Sequence, residues 1–319
     1  MRREPKDLLV DLASDSVGGR VLAASDELLG AKEELLRRSD SGSGWETKRR
    51  RRSGHDWAII SLGLPGVVRH VVVDTTGFAG RHPTHASVES IHLPGEPDIV
   101  ELARDPSRWI EIVPRSPLAP DRENDFVVVS GTPTTHVRLV VYPDGGIAGF
   151  RLLGDPIPPG GVLDGRAETD LAAIRNGARV LDCSGAYLSS PNGMLAEDSG
   201  GWLTHRRRTP GHEWAIVRLA GRTTVTRLEV DATGLDGNAP ESIAVEAVDA
   251  RHASLKVLHK ADWRPMLAAT PIESGSVATL TDFESDRAVT HLRLSLYPDG
   301  GITRFRAFGV SEEPWTSPD

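Results

Sequence analysis

The clearest alternation of apolar and polar positions lies in HVRLVVYPDGG, where Val137, Leu139 and Val141 alternate with Arg138, Val140 and Tyr142. It returns more cleanly downstream, with Leu292, Leu294 and Leu296 set against Arg293, Ser295 and Tyr297. A period of two predicts a strand with one buried face. Each run enters Tyr-Pro-Asp-Gly-Gly, in which proline fixes φ and the glycines accept positive φ. An apolar stretch follows at once, which predicts a hairpin. Val71 and Val73, like Leu228 and Val230, predict a further strand that ends at Asp74 or Asp231. Trp57 and Trp214 lead into apolar strand residues and are predicted to be core; Trp45 and Trp202 follow glycines and have no such assignment. Helical periodicity is scarce: DELLGAKEELLRR (26–38) and ETDLAAIR (168–175) are the predicted helices. Many short strands punctuated by glycine and proline predict an all-β chain, an antiparallel jelly-roll, galactose-binding-like β-sandwich with few short helices.

The pattern is written twice. GWETKRRRRSGHDWAIISLG (44–63) aligns without a gap to GWLTHRRRTPGHEWAIVRLA (201–220), with twelve of twenty positions identical. GRVLAASDELLG matches ARVLDCSGAYLS, VVVDTTGFAG matches LEVDATGLDG, VESI (88–91) matches PESI (240–243), and RLVVYPDGGIAGFRLLG matches RLSLYPDGGITRFRAFG, all in the same order. A repeated unit of this length is a whole domain and not a solenoid repeat. The predicted division is 1–157 and 158–319, with GDPIPPGG (154–161) as the linker.

Composition narrows the function. The 319 residues carry 37 Lys+Arg against 45 Asp+Glu, a net charge of −8. That argues against a phosphate-backbone binder, despite the run from Lys48 to Arg52. One cysteine, Cys183, supports neither a disulfide framework nor a cysteine zinc site, and no apolar leader or membrane-length stretch is visible. A cytoplasmic chain that binds neither nucleic acid nor membrane is expected.

The duplicated block holds the candidate chemistry. The second copy retains Arg206, Arg207 and Arg208 opposite Arg49, Arg50 and Arg51, but replaces Lys48 with His205 and Arg52 with Thr209. In an extended segment Arg49 and Arg51 share one side and Arg50 takes the other. Arginine offers a planar fork of donors suited to a carboxylate. His55-Asp56 and His212-Glu213 follow within a few residues, and an imidazole beside a carboxylate serves as acid or base. It also serves as one ligand of a divalent metal, although no HxH or HExxH spacing supports that here. Asp74 and Asp231 suit turn capping as well as chemistry. Together these residues suggest an anion-recognising site at one end of a β-sandwich; the alternative is a non-catalytic tandem sandwich that binds small anions or sugars.

DSVGGRVLAASDE, GWETKRRRRSGHDWAI and VVDTTGFAG, followed by a proline and an ES pair, resemble the allantoicase family and occur in its order, over nearly the whole chain. The resemblance implies a tandem jelly-roll hydrolase of purine breakdown, often a homo-oligomer, that converts allantoate to ureidoglycolate and urea. It implies Glu46, His55, Asp56 and Glu89 as the acid–base groups. Arg49, Arg50, Arg206, Arg207, His212, Glu213, Asn238 and Glu241 become the substrate-binding groups. Glu46 is Leu203 in the second copy, so the two copies are not equivalent sites. The family pattern after the strand-end aspartate is Thr-x-His-Phe-x-Gly-Asn-x-Pro. Here Gly77 and Gly234 stand at the histidine position and Arg81 at the first asparagine, whereas Asn238 is kept.

Overall fold

Both alternating runs are strands in the computed structural model, which describes residues 5–37, 43–93, 95, 97–104, 106–158, 163–187, 190–197, 200–235 and 237–314. The first copy contains β1 (Val10–Asp11), β2 (Arg20–Ala24), β3 (Trp45–Glu46), β4 (Asp56–Asp74), β5 (His85–Ile91), α1 (Ile99–Arg104), β6 (Ile110–Pro117), β7 (Glu123–Val127), β8 (Pro133–Tyr142), β9 (Gly146–Ile147) and β10 (Gly149–Pro156). The second copy repeats them as β11 (Thr169–Asp170), β12 (Arg179–Cys183), β13 (Trp202–Leu203), β14 (Glu213–Asp231), β15 (Ser242–Val248), α2 (Leu255–Leu258), β16 (Arg264–Pro271), β17 (Val277–Leu280), β18 (Val289–Tyr297), β19 (Gly301–Ile302) and β20 (Arg304–Pro314). The sheet orders match: β1-β10-β4-β8-β5-β6 and β11-β20-β14-β18-β15-β16, with β2 and β7 added to β4, and β12 and β17 to β14. The chain divides at Asp155/Pro156, and the residues up to Leu9 group with the second unit. There the Asn192 side-chain amide donates to the Leu8 carbonyl at 2.8 Å.

β4 and β14 each run for 19 residues, far beyond an ordinary strand. Each serves two halves of its sandwich. Glu213–Arg218 of β14 lies beside β18, and Leu228–Asp231 lies between β20 and β17. The register breaks between Arg218 and Thr223, and in β4 between Ser61 and Gly66; such irregularities bend a strand. The core is the predicted face. Val137, Leu139 and Val141 are fully buried with Val71, Val73 and Leu152, as are Leu292, Leu294 and Leu296 with Leu228, Val230 and Phe305.

Several local expectations differ from the structure. The stretch 26–38 holds only a 3-10 turn at Lys32–Leu36, with Arg38 outside the described residues. Gly30 instead pairs with Glu46, and the Leu29 and Gly30 N–H groups donate to the Glu46 carbonyl. A Cβ on Gly30 would lie 2.1 Å from the Gly44 carbonyl oxygen, so pairing with β3 overrides helical propensity. The stretch 168–175 forms β11 and then enters a 3-10 turn, because Leu171 N–H is taken by the Ala307 carbonyl. In the proline- and glycine-rich stretch 154–161, β10 runs on through Pro156, and 159–161 lie outside the described residues.

Tyr-Pro-Asp-Gly-Gly makes no hairpin: β9 pairs with β3, β19 pairs with β13, and β10 and β20 lie across β4 and β14 from β8 and β18. The turn is instead wedged against the loop after Asp74. A Cβ on Gly145 (φ +140°) would lie 2.5 Å from the Arg81 carbonyl oxygen, and one on Gly300 (φ +123°) 2.6 Å from that of Asn238. All four tryptophans of the repeated block are at least part-buried. Trp45 and Trp202 are completely buried, with indole N–H groups donating to the Asp26 and Gly185 carbonyls at 2.8 and 2.9 Å. Trp57 and Trp214 are part-buried, and Trp57 packs against the buried cluster of Ile59, Ile91, Leu102 and Trp109. A loop indole can be core when its N–H finds a backbone acceptor.

Candidate functional site

The arginine run crosses the end of the sandwich between β3 and β4, against the Tyr-Pro-Asp-Gly-Gly turn. Its central residue points inward. The Arg50 backbone N–H donates to Asp144 at 2.8 Å, and its guanidinium grips Asp56 through Nε at 3.0 Å and through Nη2. Asp56, 1% exposed, also accepts from the Ser25 hydroxyl at 2.9 Å, and that serine accepts the Trp57 N–H. The second copy repeats each contact: Arg207 N–H to Asp299 at 2.7 Å, Arg207 Nη1 to Glu213 at 2.7 Å, Ser184 to Glu213, and Trp214 N–H to Ser184. The bond from Asp56 raises the Arg50 pKa. The expected substrate arginines Arg50 and Arg207 and the expected acids Asp56 and Glu213 are therefore already bonded to one another. They clamp the loop to the turn. Arg49, Arg51, Arg206 and Arg208 face solvent.

Glu46 and Arg81 mark a difference between the copies. Arg81 Nη1 donates to Glu46 Oε2 at 2.6 Å, and its guanidinium lies 5.0 Å from the Phe78 ring centroid. Gly146 N–H donates to the Arg81 carbonyl and Gly301 N–H to that of Asn238, so Arg81 and Asn238 are structural counterparts. Glu46 and Arg81 are thus replaced together by Leu203 and Asn238. The strand-end aspartates cap their turns: Asp74 accepts from the Thr76 N–H and hydroxyl at 2.9 and 2.6 Å, and Asp231 from Thr233 at the same distances. Gly77 and Gly234 have φ of +78° and +71°, a left-handed backbone that glycine adopts without steric cost.

The face carrying Trp57 and Trp214 has its own repeated groups. His55 lies 5.5 Å from the Tyr142 ring and His212 lies 4.6 Å from that of Tyr297. Glu89 pairs with Arg138 at 2.5 Å, and Glu246 with Arg293 at 2.6 Å. Trp109 and Trp263 each lie 5.2 Å from the arginine of their pair. The strand registers, Glu89 opposite Arg138 and Glu246 opposite Arg293, make Glu246 the counterpart of Glu89. The match of VESI with PESI was five residues out of register. Glu241 corresponds to Thr84, since their N–H groups donate to Tyr297 and Tyr142 respectively, and its side chain is exposed.

The two faces differ in access. In the first copy Arg115 lies 4.3 Å over the Tyr142 ring, and the Tyr142 hydroxyl is 3.3 Å from that of Ser87. The strand registers place Ala269 and Ala244 at these positions in the second copy. A cavity of about 650 Å³ opens there, lined by His212, Trp214, Glu246, Arg293, Tyr297 and the loop residues His259 and Glu284 among others. His259 Nε2 lies 2.8 Å from Asp182 Oδ2. Among the described residues no group of three or more His, Cys, Asp or Glu side chains forms a metal-ligand set.

Sequence reasoning missed Glu246, Arg293, Asp182 and His259. Glu246 and Arg293 were detectable, because each recurs once β5 and β15 are aligned through their valines. His259 and Asp182 have no repeated motif around them; only folding brings them together.

Comparison with known proteins follows the same division. The allantoicase repeat model matches residues 10–157 and again 169–312. A probable allantoicase of Pseudomonas aeruginosa is 36% identical over 333 residues, covering 96% of this chain and 97% of that protein. One from Nocardia farcinica is 35% identical, covering 94% of each. The crystal structure of the Saccharomyces cerevisiae allantoicase superposes with a TM-score of 0.79 at 30% identity, covering 94% of this chain and 92% of that one. Two allantoicase repeats, matched nearly end to end in sequence and in fold, place this chain in the allantoicase family.

Proposed function

We propose that the chain is a hydrolase that converts allantoate to ureidoglycolate and urea, in the breakdown of allantoin from purines. The observation that carries this reading is the family match over both repeats, at 36% identity across 96% of the chain. The geometry adds a polar end with both arginines and imidazoles on offer. Allantoate is a small carboxylate with two ureido groups on one carbon. Within each repeat the outward arginine of the run, Arg49 or Arg206, suits the carboxylate. His55 and His212 have positions from which protons can be exchanged, whereas Arg50, Asp56, Arg207 and Glu213 support the loop and Glu46 is held by Arg81. Loss of one ureido group requires a proton on the departing nitrogen and a water oxygen on the carbon it leaves. The enzyme is a cytoplasmic homo-oligomer in this reading, without nucleic-acid or membrane partners.

Urea formation by the purified chain tests the proposal. One urea per ureidoglycolate is expected. Saturable allantoate binding without urea would instead favour the binding-protein alternative.

A further inference from the structure

We infer that the cavity of the second copy is the ureido-acid site, and that His259, positioned by Asp182, is its proton-transfer group. This rests on the proposed hydrolysis and assigns a place to it.

The lining suits a ureido group. Such a group is neutral, accepting through its carbonyl and donating through its N–H groups. Glu246 and Arg293 form a neutral pair within the cavity wall, with two arginine nitrogens on one carboxylate oxygen at 2.6 and 2.5 Å. The other carboxylate oxygen and the remaining guanidinium N–H groups offer an acceptor and donors side by side. The ring of Trp263 holds the arginine from behind. Ala244 leaves the Tyr297 hydroxyl without the serine contact that Tyr142 has, and Ala269 leaves it without the covering arginine. These small residues leave Tyr297 uncovered where Arg115 lies over Tyr142 in the first copy.

The dyad is specific to this copy. In each copy a short helix with a fully buried leucine, Leu102 in α1 and Leu258 in α2, lies between β5 and β6 or between β15 and β16. The next residue is Ala103 in the first copy and His259 in the second. Asp182 is fixed, because its Oδ1 accepts the Cys183 N–H at 2.9 Å while Oδ2 faces His259 at 2.8 Å. A carboxylate on one ring nitrogen sets the tautomer and leaves the other nitrogen for proton exchange. In the step assigned to it, the imidazolium gives its proton to the ureido nitrogen as the C–N bond breaks and the electron pair leaves with urea. Water forms the new C–O bond, and its proton returns to the imidazole. Allantoate and water thus become ureidoglycolate and urea with no other reactant.

Four variants and one probe test this. His259→Ala is expected to lower kcat by at least about 10²-fold with KM changed by less than about threefold, and to melt like the wild type. Asp182→Asn, which keeps the side-chain volume but weakens the hold on the ring, is expected to lower kcat by about tenfold with KM changed by less than about threefold. Hydantoate, a ureido acid with no second leaving group, is titrated calorimetrically into Glu246→Gln and into its first-copy counterpart Glu89→Gln. About tenfold weaker binding is expected in the former only. Wild-type kcat in His259→Ala overturns the dyad. Equal hydantoate binding by both glutamine variants overturns the cavity. Hydantoate binding that discriminates them, with no urea from allantoate, keeps the cavity and removes the hydrolysis.

Discussion

Removing the Asp56 carboxylate separates loop support from chemistry. Asp56→Ala takes away an acceptor, 1% exposed, that receives Arg50 Nε at 3.0 Å and the Ser25 hydroxyl at 2.9 Å. Breaking a buried ion pair by deleting one partner costs roughly 3–5 kcal/mol, because the other charge is left without compensation. Here Arg50 keeps 35% of its side-chain surface in water and can rehydrate. The lower end, about 3 kcal/mol, is therefore the expected loss. Asp56→Asn keeps an acceptor for Ser25 and fills the same space, so about 1–2 kcal/mol is expected. Guanidinium denaturation followed by tryptophan fluorescence reads both values, and kcat is measured per folded molecule at low denaturant. The expected outcome is lost stability with kcat within about threefold, since no proton transfer is assigned to this group. A full-strength fold with turnover abolished would refute the clamp and return Asp56 to the reaction.

Other consequences follow from the same contacts. The double variant Glu46→Leu, Arg81→Asn installs the second-copy pair in the first copy and should keep the fold and kcat; a loss near 10²-fold would make Glu46 an acid–base group. Arg206→Ala should raise KM for allantoate by about tenfold with little change in kcat if that guanidinium meets the carboxylate, and steady-state kinetics decides. Gly300→Ala should destabilise strongly, because a Cβ would lie 2.6 Å from a backbone oxygen at φ +123°; normal melting would contradict the packing of the turn. Burial pushes the His291 pKa down from 6.5 to about 3. The ring stays neutral in the fold while the unfolded chain takes the proton. Its contribution is therefore full above about 6.5 and falls as the pH drops towards 3, by about 2 kcal/mol at pH 5. Asp170, raised by burial to about 6, opposes this, gaining stability as the pH falls. Comparing the pH 8 to pH 5 change in wild type with that in His291→Leu isolates the histidine, and no difference would contradict its burial.

The duplication, the strands and the β-sandwich were legible because period-two alternation survives in both copies at Val137–Val141 and Leu292–Leu296. Residues whose environment is made by distant chain were not legible. Trp45 is core because β3 crosses to β9 and finds the Asp26 carbonyl, which no local pattern encodes. The turn at 142–146 carries hairpin chemistry, yet its glycines serve a close approach to the loop at Arg81. Within the site, the arginine run and the His-acid pair were visible, but the internal bonding of Arg50 to Asp56 was not. Glu241 was matched to Glu89 by a shared Glu-Ser-Ile, whereas strand register pairs Glu89 with Glu246. His259 meets Asp182 from 77 residues away in sequence, beyond any motif.

Proton NMR of purified protein mixed with allantoate tests the central claim most directly. The methine signal of allantoate should disappear as that of ureidoglycolate grows, with one urea formed for each. An unchanged allantoate signal, with and without added divalent metal, would contradict it.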